Sequence, residues 1–251
     1  MNMRVDLNAD LGEGAGHDDE LLELVSSASI ACGFHAGDAI SILASIRLAR
    51  ERGVAVGAHP SFADRENFGR IEVVLPAGEV FANVAYQVGA FHALATAAGT
   101  RINHVKAHGA LYNMAVRDEK LAEAIAHAVL TVNSSLLLFA PGKSELERAG
   151  QSAKLRVVRE VFADRNYLAD GSLVPRTRPD ALLHDPAEAA VRVLRMLREG
   201  VVRSVDGKDV EVHAETVCLH GDTPGAVAFA RALRASLENN GVSIQAPQPG
   251  P

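Results

Sequence analysis

Short runs of β-branched and apolar residues alternate along the chain with longer runs in which Ala, Leu, Arg and Glu recur at helical spacing. The short runs predict strands at 4–9, 29–33, 54–58, 102–107, 135–140, 157–161 and 216–219. The longer runs predict helices at 18–25, 40–52, 77–98, 118–129, 143–149, 186–199 and 224–239. Asp185 before Pro186, and Thr223 before Pro224, have the cap-then-proline form of a helix start. Gly53, Gly99, Gly200 and Gly241 follow helical runs, where a left-handed residue ends a helix. Strand–helix alternation repeated seven times implies an α/β fold with a largely parallel sheet, either open or closed into a (β/α) barrel. No Gly/Ser/Pro-rich linker interrupts it, so one domain is expected over 1–245, with a Pro-rich, frayed tail at 246–251. The connections at 63–76 and 165–185 are long, as functional loops are.

The strands carry an anomaly. Side chains alternate along a strand, so Asp6, Asn8 and Asp10 share one face and Val5, Leu7 and Ala9 the other. The fourth strand repeats this, with His104, Lys106 and His108 on one face. A strand of a parallel sheet is normally apolar on both faces, so these polar groups need partners or a cavity. Lys106 in particular requires a carboxylate such as Glu160 or Asp10. Other strands end in similar chemistry: Cys32-Gly33-Phe34-His35 followed by Asp38, His59-Pro60, Glu160 followed by Asp164 and Arg165, and His220-Gly221-Asp222. Only the fifth, ending Ala140-Pro141-Gly142, lacks an ionisable group. Ligands of parallel α/β folds bind at the carboxyl ends of the strands, which makes this ring the candidate active site. Taken singly, each histidine reads as a structural one, and Asp38, Asp164 and Asp222 read as caps or turn residues. Four histidines at equivalent positions, His35, His59, His108 and His220, favour function.

Charge narrows the partners. The 251 residues carry a net charge of −6, without the basic footprint of a nucleic-acid binder. Two cysteines are no disulfide framework, and both read as buried free thiols. The start of the chain has no apolar signal region, and no stretch reaches the length of a membrane span, so a cytoplasmic protein acting on a small molecule is expected.

Three familiar signatures fail. Gly12-Glu13-Gly14 follows a strand, but His17 stands where a dinucleotide fingerprint has its third glycine. Gly142-Lys143-Ser144 is like the end of a phosphate loop, but Leu137 replaces its first glycine, leaving at most a helix-start phosphate contact. Neither Gly-x-Ser-x-Gly nor His-Glu-x-x-His is present. Asp10, His59 and His108 form a candidate set for a divalent metal.

Six ordered blocks resemble the LamB/YcsF family, whose members are described as the A component of 5-oxoprolinase. They are the runs from Asp6 to Glu13, Ile30 to Asp38, Gly57 to Phe62, Val105 to Asn113 (which includes Tyr112), Glu160 to Arg165 and Cys218 to Pro224. The family usually has proline at the position of Ala107, a change that should loosen that strand end. The resemblance implies a seven-stranded, TIM-like (β/α) barrel of the glycoside hydrolase/deacetylase type. It also implies ATP-dependent opening of 5-oxo-L-proline to L-glutamate, with ATP as co-substrate and subunits B and C as partners. On that reading Asp10, His59, Lys106, His108 and Glu160 are the candidate catalytic residues. Asn8, His35, Asp38, Tyr112, Asp164, Arg165, His220 and Asp222 are the candidate substrate-binding residues. The rival expectations are a metal-dependent carbohydrate deacetylase and a non-catalytic ligand-binding subunit.

Overall fold

Both faces of the first strand are buried, which a closed sheet explains. The computed structural model describes residues 3–221 and 225–249. Its main strands are β1 (Met3–Leu11), β2 (Ser27–Ala31), β3 (Ala55–His59), β4 (Ile102–Val105), β5 (Leu137–Pro141) and β6 (Arg156–Phe162). A two-stranded antiparallel hairpin follows, β7 (Val201–Arg203) and β8 (Asp209–Glu211), then β9 (Thr216–His220) and β10 (Val242–Ile244). Strands β1 to β6 and β9 pair in parallel, and β9 pairs back onto β1, with Asp6 opposite Thr216 and Asp10 opposite His220. The sheet is therefore a closed barrel. The short β10 adds beside the amino-terminal part of β1, Met3 opposite Val242.

The helices are α1 (Asp18–Leu22), α2 (Ala39–Glu51), α3 (Ala77–Ala97), α4 (Gly109–Ala115), α5 (Glu119–Val132), α6 (Glu145–Ser152), α7 (Pro186–Glu199) and α8 (Ala226–Asn239). Their starts follow the sequence signals: Asp185 accepts from Ala187 N with Pro186 in the first turn, and Gly200 ends α7 at φ 69°. The Thr223–Pro224 signal lies outside the described residues. Val5, Leu7, Ala9 and Leu11 face the helices within one large apolar layer. The lumen holds its own small cluster of Leu137, Phe139 and Val158. Above it, the His104 ring stacks on Phe139 at 4.0 Å, and its Nε2 meets Ser29 Oγ at 3.1 Å. Gly57 makes room for that ring, because a Cβ there would lie 2.1 Å from His104 Nε2.

The structure departs from the sequence reading in places. Helix α4, the β7–β8 hairpin and β10 were not expected. Residues 246–248 hydrogen-bond to the barrel: Arg4 donates to Ala246 O at 2.7 Å, Asn103 donates to Pro247 O at 3.0 Å, and Arg156 donates to Gln248 O. Around Ala107 the backbone is held on both sides, by Lys106 N to Ala58 O at 3.0 Å and His108 N to Pro60 O at 2.8 Å. No helix among the described residues is long and apolar enough to cross a membrane.

Candidate active site

The polar faces of β1 and β4 meet in the lumen near its carboxyl-end mouth. Lys106 Nζ lies 2.6 Å from Asp10 Oδ1 and 3.0 Å from Glu160 Oε1. It also donates to Asn8 Oδ1 and to Cys218 Sγ, each at 3.0 Å. Asn8 in turn donates to Glu160 Oε1 and Thr216 Oγ1, and the Tyr112 hydroxyl donates to Glu160 Oε2 at 2.7 Å. Burial opposes the Lys106 charge, but Asp10, Cys218 and Glu160 outweigh it and hold the ammonium well above its ordinary pKa. Burial likewise opposes Asp10, yet His59 and Lys106 keep its carboxyl well below the usual range. Asp10 is thus ionised throughout the neutral range, with Oδ2 3.4 Å from His59 Nε2.

Beside this box is a cluster of imidazoles. His59 Nδ1 bonds Lys106 O at 2.7 Å, and His108 Nε2 bonds Phe68 O at 2.9 Å. The inner nitrogens, His59 Nε2 and His108 Nδ1, face each other at 3.0 Å. Phe68 reaches this position at φ 57°, a left-handed conformation uncommon for a bulky residue and typical of strain at functional sites. His35 stacks on His108 at 3.8 Å, and bonds Ser61 Oγ through Nδ1 and Glu13 Oε1 through Nε2. Burial, reinforced by His59, pushes His35 down to about 3. His108 is likewise depressed by burial and by its neighbours His59 and His35.

A third group sits across the mouth. Asp164 accepts from the ring and backbone of His220, and His220 stacks on Phe162. Arg165 is 5% exposed and spends one nitrogen on Val174 O at 2.6 Å. Its buried Nε donates to nothing among the described residues. Burial and then Arg176 lower its pKa to about 10, so an anion would relieve it.

These groups surround a cleft of about 950 Å³. Asp10, His59, Lys106, His108, Tyr112, Arg165 and His220 line it. Asn8, His35, Glu160 and Asp164 stand behind the lining and position it. Asp38 does not join them: it caps α2, accepting from Ile40 N and Ser41 N, and Asp222 lies outside the described residues. Sequence reasoning missed Glu13, Arg70, Lys143 and Arg176 as lining residues. Glu13 was visible only in a failed glycine motif and as the end of the first family block, although it stands three residues beyond Asp10. The others come from loops whose paths no periodicity sets. Of the two cysteines read as buried free thiols, Cys32 is only half-buried, and Cys218 is buried and contacts Lys106.

Three sets of donor atoms could hold a metal ion, each within 4.8 Å: Asp10, Cys218 and His220; Asp10, His59 and His108; and Glu13, His35 and His108. The Lys106 ammonium lies on both Asp10 and Cys218, so it repels a second cation from that side.

Comparison with known proteins agrees with this architecture. A lactam utilization protein from Thermus thermophilus is similar over 98% of this chain and 100% of its own, at 49% identity and a TM-score of 0.92. A putative cellobiose-phosphate cleavage protein from Enterococcus faecalis V583 shares the fold at 13% identity and a TM-score of 0.57, covering 97% of each chain. A GH113 β-1,4-mannanase shares it at 12% identity and 0.51, covering 95% of this chain and 99% of its own. The barrel is thus of the TIM-like type found in glycoside hydrolases and deacetylases. Residues 5–250 match the LamB/YcsF family, and the chain belongs to it.

Proposed function

We propose that this chain hydrolyses a lactam, and that it is the A component of an ATP-dependent enzyme opening 5-oxo-L-proline to L-glutamate with subunits B and C. The lactam class is supported by the similar lactam utilization protein. The observation that carries the reading is one cleft that unites an ionised Asp10, a buried ammonium and a buried guanidinium with an uncommitted Nε.

A lactam carbonyl is a poor electrophile. Transfer of the γ-phosphoryl group of ATP to the lactam oxygen makes that oxygen a leaving group, with ADP released. Asp10 then takes a proton from water as the water oxygen bonds the ring carbon. The ring C–N bond breaks, the nitrogen gains a proton, and hydrolysis of the acyl phosphate leaves glutamate and inorganic phosphate. Lys106 stabilises the negative charge that develops on oxygen, and Arg165 is suited to clamp the substrate carboxylate with two nitrogens.

The chain lacks a complete phosphate loop, so the phosphoryl transfer is assigned to the assembled enzyme. The purified chain given ATP and 5-oxoproline should release little glutamate, and adding both partner subunits should restore it. Robust release by the chain alone would refute the division of labour. Chelator-sensitive deacetylation of a carbohydrate, with no lactam opening in the assembled complex, would refute the function.

A further inference from the structure

The hydrogen bonds around two histidines leave a problem that a proton or a cation must solve. A backbone carbonyl oxygen only accepts, so His59 Nδ1 and His108 Nε2 both carry hydrogen to reach Lys106 O and Phe68 O. In the neutral rings His59 Nε2 and His108 Nδ1 are then both lone pairs, and they face each other at 3.0 Å. Glu13 Oε1 lies 3.3 Å from the second and 3.9 Å from the first. Three electron-pair donors thus converge on one point.

Their spacing suits a metal. Nitrogen and oxygen ligands bind zinc at about 2.0–2.2 Å, which places neighbouring donors of a four-coordinate ion roughly 3.3 Å apart. The outer atoms also have the form of a metal site. Each ligating imidazole is oriented by a carbonyl on its far nitrogen, and the carboxylate by a third imidazole, His35 Nε2, at 3.0 Å from Glu13 Oε1. Lys106 occupies the Asp10 side, which moves the most favourable position toward Glu13.

We propose that Glu13 Oε1, His59 Nε2 and His108 Nδ1 hold one divalent transition-metal ion, open to the cleft and next to Asp10. The mixed nitrogen and oxygen donors suit zinc, cobalt or manganese better than calcium. A bound ion of this kind acidifies a coordinated water and polarises a carbonyl. Asp10 stays outside the ligand set as the proton acceptor. The assignment does not depend on which substrate the cleft takes.

Calorimetric titration of the chelator-treated chain with cobalt or zinc, without substrate, tests this, and the visible absorption of bound cobalt reports its coordination. Wild type should bind one ion per chain. His108→Gln and Glu13→Gln should each weaken binding by about 100-fold or more, and His35→Gln by roughly 10–100-fold, with unchanged circular dichroism. Asp10→Asn should change affinity by less than about tenfold. Wild type without stoichiometric binding would overturn the site and leave a shared proton between the two imidazoles. Glu13→Gln with wild-type affinity, or Asp10→Asn losing binding as His108→Gln does, would overturn this ligand set. A metal-binding chain that opens no lactam in the full complex would leave the site standing and remove the proposed function.

Discussion

Asp6 shows how one side chain in the barrel sets a pH dependence. Hydroxyls of Ser26, Ser27 and Thr216 donate to it at 2.6, 2.8 and 2.6 Å. Burial nevertheless outweighs these bonds and raises its pKa to about 6. The folded chain therefore holds this proton more tightly than the unfolded chain does, and the stability it gives is complete below about pH 4 and lost by about pH 6. A shift of this size corresponds to about 3 kcal/mol. Relative to Asp6→Asn, wild type should lose stability across that window in denaturant unfolding at several pH values. A difference that stays flat with pH would show that Asp6 does not titrate there. The alternation of the first strand put Asp6 on the polar face, but its hydroxyl partners lie on β2, on β9 and in the bend before β2, and were not legible. Lys106 was different, because a lysine inside a strand demands a carboxylate, and both carboxylates named for it are present.

At the level of elements, Gly57 and His104 form a matched pair across β3 and β4. A methyl group at position 57 would overlap the ring, and the ring is stacked and buried with nowhere to turn. Gly57→Ala should cost at least about 1–3 kcal/mol, as overpacking does. His104→Ala in the same chain should recover part of that loss, which a double-mutant cycle by thermal unfolding would measure. Strictly additive losses would mean that the two residues do not compete for space. The long strands and helices were legible because apolar periodicity and caps agreed. Helix α4 was not: it has seven residues, and His108 at its start makes no side-chain cap. Only Lys106, Ala107 and His108 separate it from β4, and that run reads as a strand end. The hairpin and β10 have three residues per strand, too few to show an alternation.

For the whole molecule, strand–helix alternation alone left both an open sheet and a barrel possible, because closure is a pairing between the first and last main strands, and it was the family resemblance that implied the barrel. The polar faces were the better clue, since they needed a lumen. The carboxyl-terminal segment matters at this scale too, tying β1, the start of β4 and the start of β6 together. Truncation after Gln245 should lower stability by about 1–2 kcal/mol, the net worth of a few partly exposed hydrogen bonds. That corresponds to a melting temperature lower by roughly 2–8 °C, and an unchanged melt would show that the contacts carry no stability.

The packing beneath the site has one more consequence. Ser29, His104, Leu137, Phe139 and Val158 are all fully buried and fill the lumen below Lys106. The barrel is a cup, sealed at its base. Among the described residues the lumen is closed below Lys106, so on the proposed function reactant and product share the carboxyl-end mouth, and each turnover must empty the cup before the next can begin.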